Sequence, residues 1–225
     1  MKVNRTRQLV GFAVGGCAGL LLLVFLMLPS QEALHKRGPM NKGHEGMRCA
    51  SCHKRAPGSF RQQVQANIRF ILGRRESPAD IGHRPVGNTE CLDCHERPND
   101  RHPVFRFFEP RFKEARANIQ PTQCASCHRE HSGKLATIQP TFCVNCHSDL
   151  IMKKDPLTTP HHELIQSERW ETCLGCHDFH GNHPVETPTA ITEALAPEKI
   201  LDYFNGGISP YGTETYYQAK KEAFQ

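Results

Sequence analysis

The chain has 225 residues, of which 28 are basic, 23 are acidic and 38% are hydrophobic. This length is enough for one or two domains, and the apolar content is ordinary to low. The net charge of +5 is modest, and three of the basic residues, Lys2, Arg5 and Arg7, precede an apolar run at the N-terminus. The charge therefore gives no support for binding to nucleic acid.

The apolar run at residues 9–28 predicts a transmembrane helix, because about 20 such residues are needed to cross a bilayer. The basic residues before it predict that residues 1–8 lie in the cytoplasm and that the rest of the chain lies across the membrane. The segment Leu28-Pro29-Ser30-Gln31-Glu32 offers no good cleavage site. We therefore favour an uncleaved signal anchor over a cleaved signal peptide.

Residues 29–46 are polar, with Gly38-Pro39 and Gly43 as turn signals, and are expected to form a tether. Five runs of the form Cys-x-x-Cys-His follow, and they begin at Cys49, Cys91, Cys124, Cys143 and Cys173. Two cysteines three residues apart lie on one side of a helical turn, so both can form thioethers to one porphyrin. The histidine that follows can then coordinate the iron.

Zinc sites and disulfide frameworks also use paired cysteines, but neither needs a histidine directly after every pair. The sequence therefore predicts five covalently attached haem c groups. The predicted thioether residues are Cys49, Cys52, Cys91, Cys94, Cys124, Cys127, Cys143, Cys146, Cys173 and Cys176. The predicted proximal iron ligands are His53, His95, His128, His147 and His177.

Nine other histidines remain, and coordination of five irons by two histidines each needs five of them. His131 and His180 each follow a proximal histidine by three residues and are expected to ligate neighbouring irons. The expected distal ligands are His44, His83, His131, His162 and His180. The alternatives are His35, His102, His161 and His183, or one of Met40, Met47 and Met152.

Residues 47–185 are expected to form the haem domain, with a mostly irregular fold and short α-helices. Ser59 is a candidate N-cap of an amphipathic helix that ends at Gly73, and its apolar face is expected to cover porphyrin. A second short helix is expected from Pro110. This region offers roughly 40 residues per haem, which is too few for a separate protein core around each one. The porphyrins are therefore expected to stack in near contact and to pass electrons along a row.

The bound haems also change the charge, since each ferric haem with two histidine ligands and ionised propionates adds about one negative charge. The haem domain is then near neutral. The last segment, residues 186–225, has a helix signal at Pro197, a Gly206-Gly207 pair and three tyrosines beyond it. A purely solubilising tail would have fewer aromatic residues, so we expect this segment to pack on the haem domain or on a partner.

Internal repeats relate the motifs, because Cys124-Ala-Ser-Cys-His repeats the run at Cys49, and His128-Arg-Glu-His131 resembles His177-Asp-Phe-His180. Through this pattern and the closely spaced third and fourth motifs, residues 124–183 resemble the class III and tetrahaem cytochrome c families. The layout of one anchor followed by periplasmic haems is similar to the NapC/NrfH quinol dehydrogenases, which usually carry four haems. The NrfH branch has a Met after its first motif, where this chain has Lys54-Arg55-Ala56.

The resemblance implies an inner-membrane, single-pass cytochrome with its haem domain in the periplasm. Electrons would enter from quinol or from a quinol-oxidising membrane complex, near the first motif, and leave to a periplasmic redox protein. No catalytic residue is needed for this role and none is found, although quinol dehydrogenase activity stays open. The alternative is a haem-based reductase of the nitrite or hydroxylamine type, which requires one iron with an open coordination position.

Overall fold

The computed structural model describes residues 2–28, 31, 34 and 37–220. The chain divides into two units, Met1–Pro39 and Met40–Gln225. His35, an alternative distal ligand, lies outside the described residues. Within the described residues there are helices, turns and irregular segments but no strand, and the isolated bridge between Arg55 and His83 is the nearest approach to a sheet. The predicted fold class is confirmed.

The first unit contains one long helix, α1 (Lys2–Leu26). Its segment Arg5–Leu26 is long and apolar enough to cross a membrane, and large side chains such as Phe12 and Leu21 are exposed along it. An isolated helix of this length with an unburied apolar surface is stable in a bilayer and unfavourable in water. A membrane anchor and a signal sequence share these properties.

The second unit is built from short helices joined by irregular chain. The α-helices are α2 (Cys49–Cys52), α3 (Phe60–Ile71), α4 (Asn88–Leu92), α5 (Lys113–Ile119), α6 (Cys124–Cys127), α7 (Val144–His147), α8 (His161–Gln166), α9 (Cys173–Cys176) and α10 (Pro197–Phe204). The 3-10 helices are Val104–Phe108, Pro110–Phe112, Pro140–Cys143, Trp170–Thr172 and Ile191–Glu193. Five of these α-helices coincide with cysteine motifs, so the motifs themselves define much of the regular structure. The helix expected from Pro110 is present as a 3-10 turn that continues into α5.

Helix α3 begins as predicted, with a capping box at Ser59. The Ser59 amide donates to Gln62 Oε1 at 2.7 Å, and the Gln62 amide donates to Ser59 Oγ at 3.4 Å. The helix ends before Gly73, whose φ of +66° is readily adopted by glycine.

The side of α3 that packs on the rest of the unit is polar. Gln63 is only 4% exposed, donates to the Ala56 carbonyl at 3.2 Å and accepts from the Gly82 amide at 2.9 Å. Phe60 and Ile71, at the two ends of the helix, are 68% and 80% exposed. Buried hydrogen bonds of this kind satisfy backbone groups of the neighbouring loops, so α3 fixes the chain that flanks the first motif.

The apolar core formed by side chains is small. The buried hydrophobic residues are Ala56, Phe107, Ala115, Ala136, Leu157, Leu164, Leu174, Cys176 and Ile200. Among the residues that the structure describes, Ile200, on α10, is the only large side chain with no exposed surface. A unit of this length with so few buried apolar side chains depends on other groups for its cohesion.

The C-terminal segment packs across the second unit, as expected. The Leu135 amide donates to the Phe204 carbonyl at 2.9 Å, and Tyr211 Oη donates to the Leu174 carbonyl at 2.7 Å. Further along, the Lys220 amide donates to the Cys94 carbonyl at 3.1 Å. We call residues 207–220 the C-terminal strap, because they run from the fifth motif to the second.

Candidate haem sites

The cysteine motifs share one backbone geometry. In four of them the histidine amide donates to the carbonyl of the first cysteine at 2.9 Å, as one turn of helix requires. The fourth motif forms the same turn as the end of the 3-10 helix Pro140–Cys143 followed by α7. Among the described residues no cysteine forms a disulfide. Each motif therefore presents two thiols from a single turn, as attachment of one porphyrin needs.

Each proximal histidine lies close to a second histidine. The ring centroids are 5.9 Å apart for His95 and His44, and 6.0 Å apart for His128 and His180. They are 6.2 Å apart both for His147 with His102 and for His177 with His161. His53 has two such neighbours, His131 at 6.4 Å and His83 at 6.5 Å.

These separations fit a metal between the rings. A metal–imidazole bond is about 2 Å long and the ring centre lies about 1 Å behind the nitrogen, so imidazoles on opposite sides of one metal have centres about 6 Å apart. Rings in direct stacking are closer, as His102 and Phe179 are at 4.1 Å. Within the described residues no group of three or more His, Cys, Asp and Glu is arranged around one point. Pairs of histidines suit the two axial positions of a haem iron.

Hydrogen bonds at Nδ1 orient five of these rings. His44 Nδ1 donates to Glu130 Oε2 at 2.8 Å, and His180 Nδ1 donates to Asp100 Oδ2 at 3.0 Å. His161 Nδ1 donates to Asp155 Oδ1 at 2.9 Å. His102 and His128 donate instead to backbone carbonyls, those of Phe179 at 2.5 Å and Leu135 at 2.6 Å. A ring whose Nδ1 carries the proton has Nε2 available for a metal.

Burial favours the iron-binding, neutral form of four proximal imidazoles. Loss of solvation is the largest cause that lowers the pKa values of His95, His128, His147 and His177. A lower pKa means that the neutral ring predominates at neutral pH, and the neutral ring is the one with a lone pair for a metal.

The structure places four of the five predicted distal ligands beside a proximal histidine. His44 and His180 face the proximal histidines of the second and third motifs, while His83 and His131 both face His53. Beside His177 the structure places His161, not the neighbouring His162. His102, an alternative, faces His147. The geometry thus brings six histidines to five proximal residues, and the ligand set itself stays a prediction.

His183 is held in another network. It is 9% exposed, its Nδ1 donates to Asp178 Oδ2 at 2.9 Å, and Ser209 Oγ donates to its Nε2 at 3.2 Å. This Asp–His–Ser order resembles that of a hydrolase triad. However, Ser209 Oγ also accepts from the Tyr211 amide at 3.3 Å, and the Tyr211 ring covers the imidazole at 5.4 Å. The cluster therefore fixes the C-terminal strap to the fifth motif.

Neighbouring motifs touch. Helix α4 of the second motif contacts α2 of the first motif and α6 of the third. The 3-10 helix Pro140–Cys143 of the fourth motif contacts Trp170–Thr172, which leads directly into α9 of the fifth. The first, second and third motifs thus form one group, and the fourth and fifth form another. His180, which follows the fifth motif, joins the groups through its place beside His128.

Residues 40–148 match the model of the family described as Cytochrome c3. This segment is similar to cytochrome c3, contains the first four motifs and ends one residue after His147. The matched family is one of multihaem cytochromes with covalently bound haem c, and the match therefore suggests electron transfer. No curated protein and no solved structure shows significant similarity to the chain.

Proposed function

We propose that the chain is a membrane-anchored pentahaem c-type cytochrome. It passes electrons from the membrane, from quinol or a quinol-oxidising complex, to a periplasmic redox protein. The observation that carries this proposal is that all five motif histidines have a histidine neighbour at 5.9–6.5 Å. Haem iron, when bound, moves one electron at a time between its ferric and ferrous states.

The fifth haem is supported by the geometry of its motif, which lies beyond the matched segment. The His177 amide donates to the Cys173 carbonyl at 2.9 Å, as in the other motifs, and His161 lies 6.2 Å from His177. The 3-10 helix Trp170–Thr172, which leads into α9, contacts the 3-10 helix Pro140–Cys143 of the fourth motif. These features support attachment of a haem here next to the fourth one.

Two histidines per iron favour conduction over catalysis. A substrate such as nitrite binds iron only at an open axial position, and a second histidine on each iron would leave none. The side chains of this chain would hold the irons at fixed spacing, keep water away from them and set their potentials. Contacts between motifs along the two groups and through His180 support a continuous path for electrons.

The membrane part of the proposal comes from α1 and its flanks. Arg5 and Arg7 precede the apolar segment, and an excess of basic residues favours the cytoplasmic side. The chain after α1 is then periplasmic, which is the compartment where haem is attached to the cysteine pairs of c-type cytochromes. Only 20 residues separate Leu28 from Cys49, so the first motif is proposed as the entry point for electrons.

The test uses the full chain purified from membranes. The mass of the protein should exceed that of the polypeptide by five haems, and the ferric and ferrous spectra should be low-spin and unchanged by carbon monoxide. In membranes, a quinol should reduce the haems. A soluble, shortened protein would contradict the anchor, and a high-spin fraction that binds carbon monoxide or nitrite would favour the reductase.

A further inference from the structure

Three of the histidines that face proximal ligands are hydrogen-bonded to carboxylates, and the others have no carboxylate partner among the residues that the structure describes. Glu130, Asp100 and Asp155 accept from the Nδ1 atoms of His44, His180 and His161. At the fourth motif the acceptor is an uncharged carbonyl, that of Phe179. At the first motif, His131 Nδ1 is buried and has no hydrogen-bond partner among the described residues.

The carboxylates are themselves held in place. Glu130 Oε1 accepts from the Asn41 amide at 2.8 Å, and Asp155 Oδ2 accepts from the His161 amide at 2.6 Å. Asp100 Oδ1 accepts from the His102 amide at 2.9 Å. Each carboxylate therefore accepts a backbone N–H as well as an imidazole N–H, and such donors favour the ionised form of a carboxylate.

A charged acceptor at Nδ1 changes the imidazole on the opposite nitrogen. It pulls the Nδ1 proton toward itself and makes Nε2 a stronger electron donor, which stabilises the more highly charged metal state. For iron this is the ferric state, so the reduction potential falls. A neutral carbonyl has a weaker effect, and an unpartnered Nδ1 has the weakest.

We propose that Glu130, Asp100 and Asp155 are positioning residues that lower the potentials of the irons bound by His95, His128 and His177, relative to those bound by His53 and His147. The row of irons then has two classes of site: those whose distal histidine donates from Nδ1 to a carboxylate, and those whose distal histidine does not. This inference rests on the histidine pairs of the proposed function.

The sharpest test is at the second motif, because it offers a matched control. Glu130→Gln keeps the size of the side chain and removes the charge. Asp93→Asn removes an exposed charge between the two cysteines of the same motif, where the side chain hydrogen-bonds no described histidine. Potentiometric titration of the full-length holoprotein should show one of five one-electron components moved to a more positive potential in Glu130→Gln. The component should move distinctly less in Asp93→Asn.

A second readout separates this effect from loose folding. The ferric electron paramagnetic resonance spectrum of Glu130→Gln should show one low-spin signal with altered g values, and Glu130→Asp should restore the wild-type potential and spectrum at least in part. Asp100→Asn and Asp155→Asn should each move a different component in the same positive direction.

Unchanged potentials in all three variants, or shifts no larger than in Asp93→Asn, would overturn the proposal. If all three variants lost haem instead, the carboxylates would be structural only, and the proposal would again be wrong. A wild-type protein with high-spin haems would contradict the histidine pairs themselves. That result belongs to the proposed function and is distinct from a low-spin protein whose variants do not shift.

Discussion

The first and the fifth motifs have the same five-residue pattern but very different surroundings. In α2 no residue is buried and Cys49 is exposed, whereas in α9 Leu174, Gly175 and Cys176 are all buried. The C-terminal strap and residues 194–195 close over α9, and one histidine ring among the described residues, that of His161, faces His177. His53, in contrast, has two such neighbours. The same turn can therefore serve an exposed site at the first motif, here called the open site, and a buried one at the fifth motif, the closed site.

The largest effect should come from the distal ligand of the closed site. His161→Ala removes the single histidine that faces His177, so one of five haems should become high-spin and bind carbon monoxide. His162→Ala, one residue along the same helix, is the matched control and should leave the spectrum unchanged. Visible spectra of the ferrous protein with and without carbon monoxide measure both. A high-spin haem in the control alone would show that the ligand is His162.

The open site should tolerate a single loss. The ring centres of His83 and His131 both lie at a distance from that of His53 that suits an iron between the two rings. Each single variant, His83→Ala or His131→Ala, should therefore keep the first haem low-spin, whereas the double variant should not. Carbon monoxide binding at one haem in the double variant only is the expected result. If one single variant opened the site completely, the two histidines would not be interchangeable and the contrast with the fifth motif would weaken.

Packing at the closed site gives a smaller effect, on stability. A methyl group on Gly175 would lie 2.7 Å from the Leu195 carbonyl oxygen and 3.2 Å from Ala194 Cβ. Gly175→Ala should therefore destabilise the holoprotein by about 1–3 kcal/mol, the usual cost of overpacking. Ser126→Ala, at the same position of the third motif, should change stability by less than about 0.5 kcal/mol. Thermal unfolding compares them, and equal melting temperatures would show that α9 has room to move.

The smallest effect concerns the Tyr211 hydroxyl, which holds the strap on α9. Tyr211→Phe should cost about 1 kcal/mol, the net value of a typical hydrogen bond, and exposed Tyr216→Phe should cost less. Burial raises the pKa of Tyr211 above its usual value. The folded state thus holds this proton more tightly than the unfolded state.

Stability from that difference is present below about pH 10, where unfolded tyrosine ionises, and is lost as the pH rises further. Wild type should lose more stability than Tyr211→Phe between neutral and strongly alkaline pH, as measured by denaturant unfolding. Parallel losses in the two proteins would contradict this account.

The sequence predicted what depends on neighbouring residues. The cysteine turns, the cap at Ser59 and the helix after Pro110 follow from spacing of a few residues, and all are present. Choosing between His161 and His162 depends on Asp155, which fixes the first of them through both its amide and its ring. An aspartate six residues before a histidine pair indicates which histidine is oriented only when the conformation of the turn between them is known.

Other features depend on long-range contacts and could not be predicted from spacing. His102 lies beside His147 although 44 residues separate them, and the spacing of the motifs does not indicate how the chain between them folds. His83 and His131 approach His53 from two different segments of the chain. In α3, the apolar periodicity located the helix, but Gln63 faces inward because nearby loops present backbone groups that need partners. The aromatic tail was expected to pack, and its partners at Leu174 and Cys94 became visible only in three dimensions.

The position of the strap in the chain bears on the order of assembly. Residues 207–220 are synthesised after all five motifs, and they close the unit through Tyr211 at one end and Lys220 at the other. Ligases that join thiols to vinyl groups need access to each cysteine pair while the chain is still open. Haem attachment should therefore precede the packing of the strap onto the unit, and this packing would be the last step of maturation.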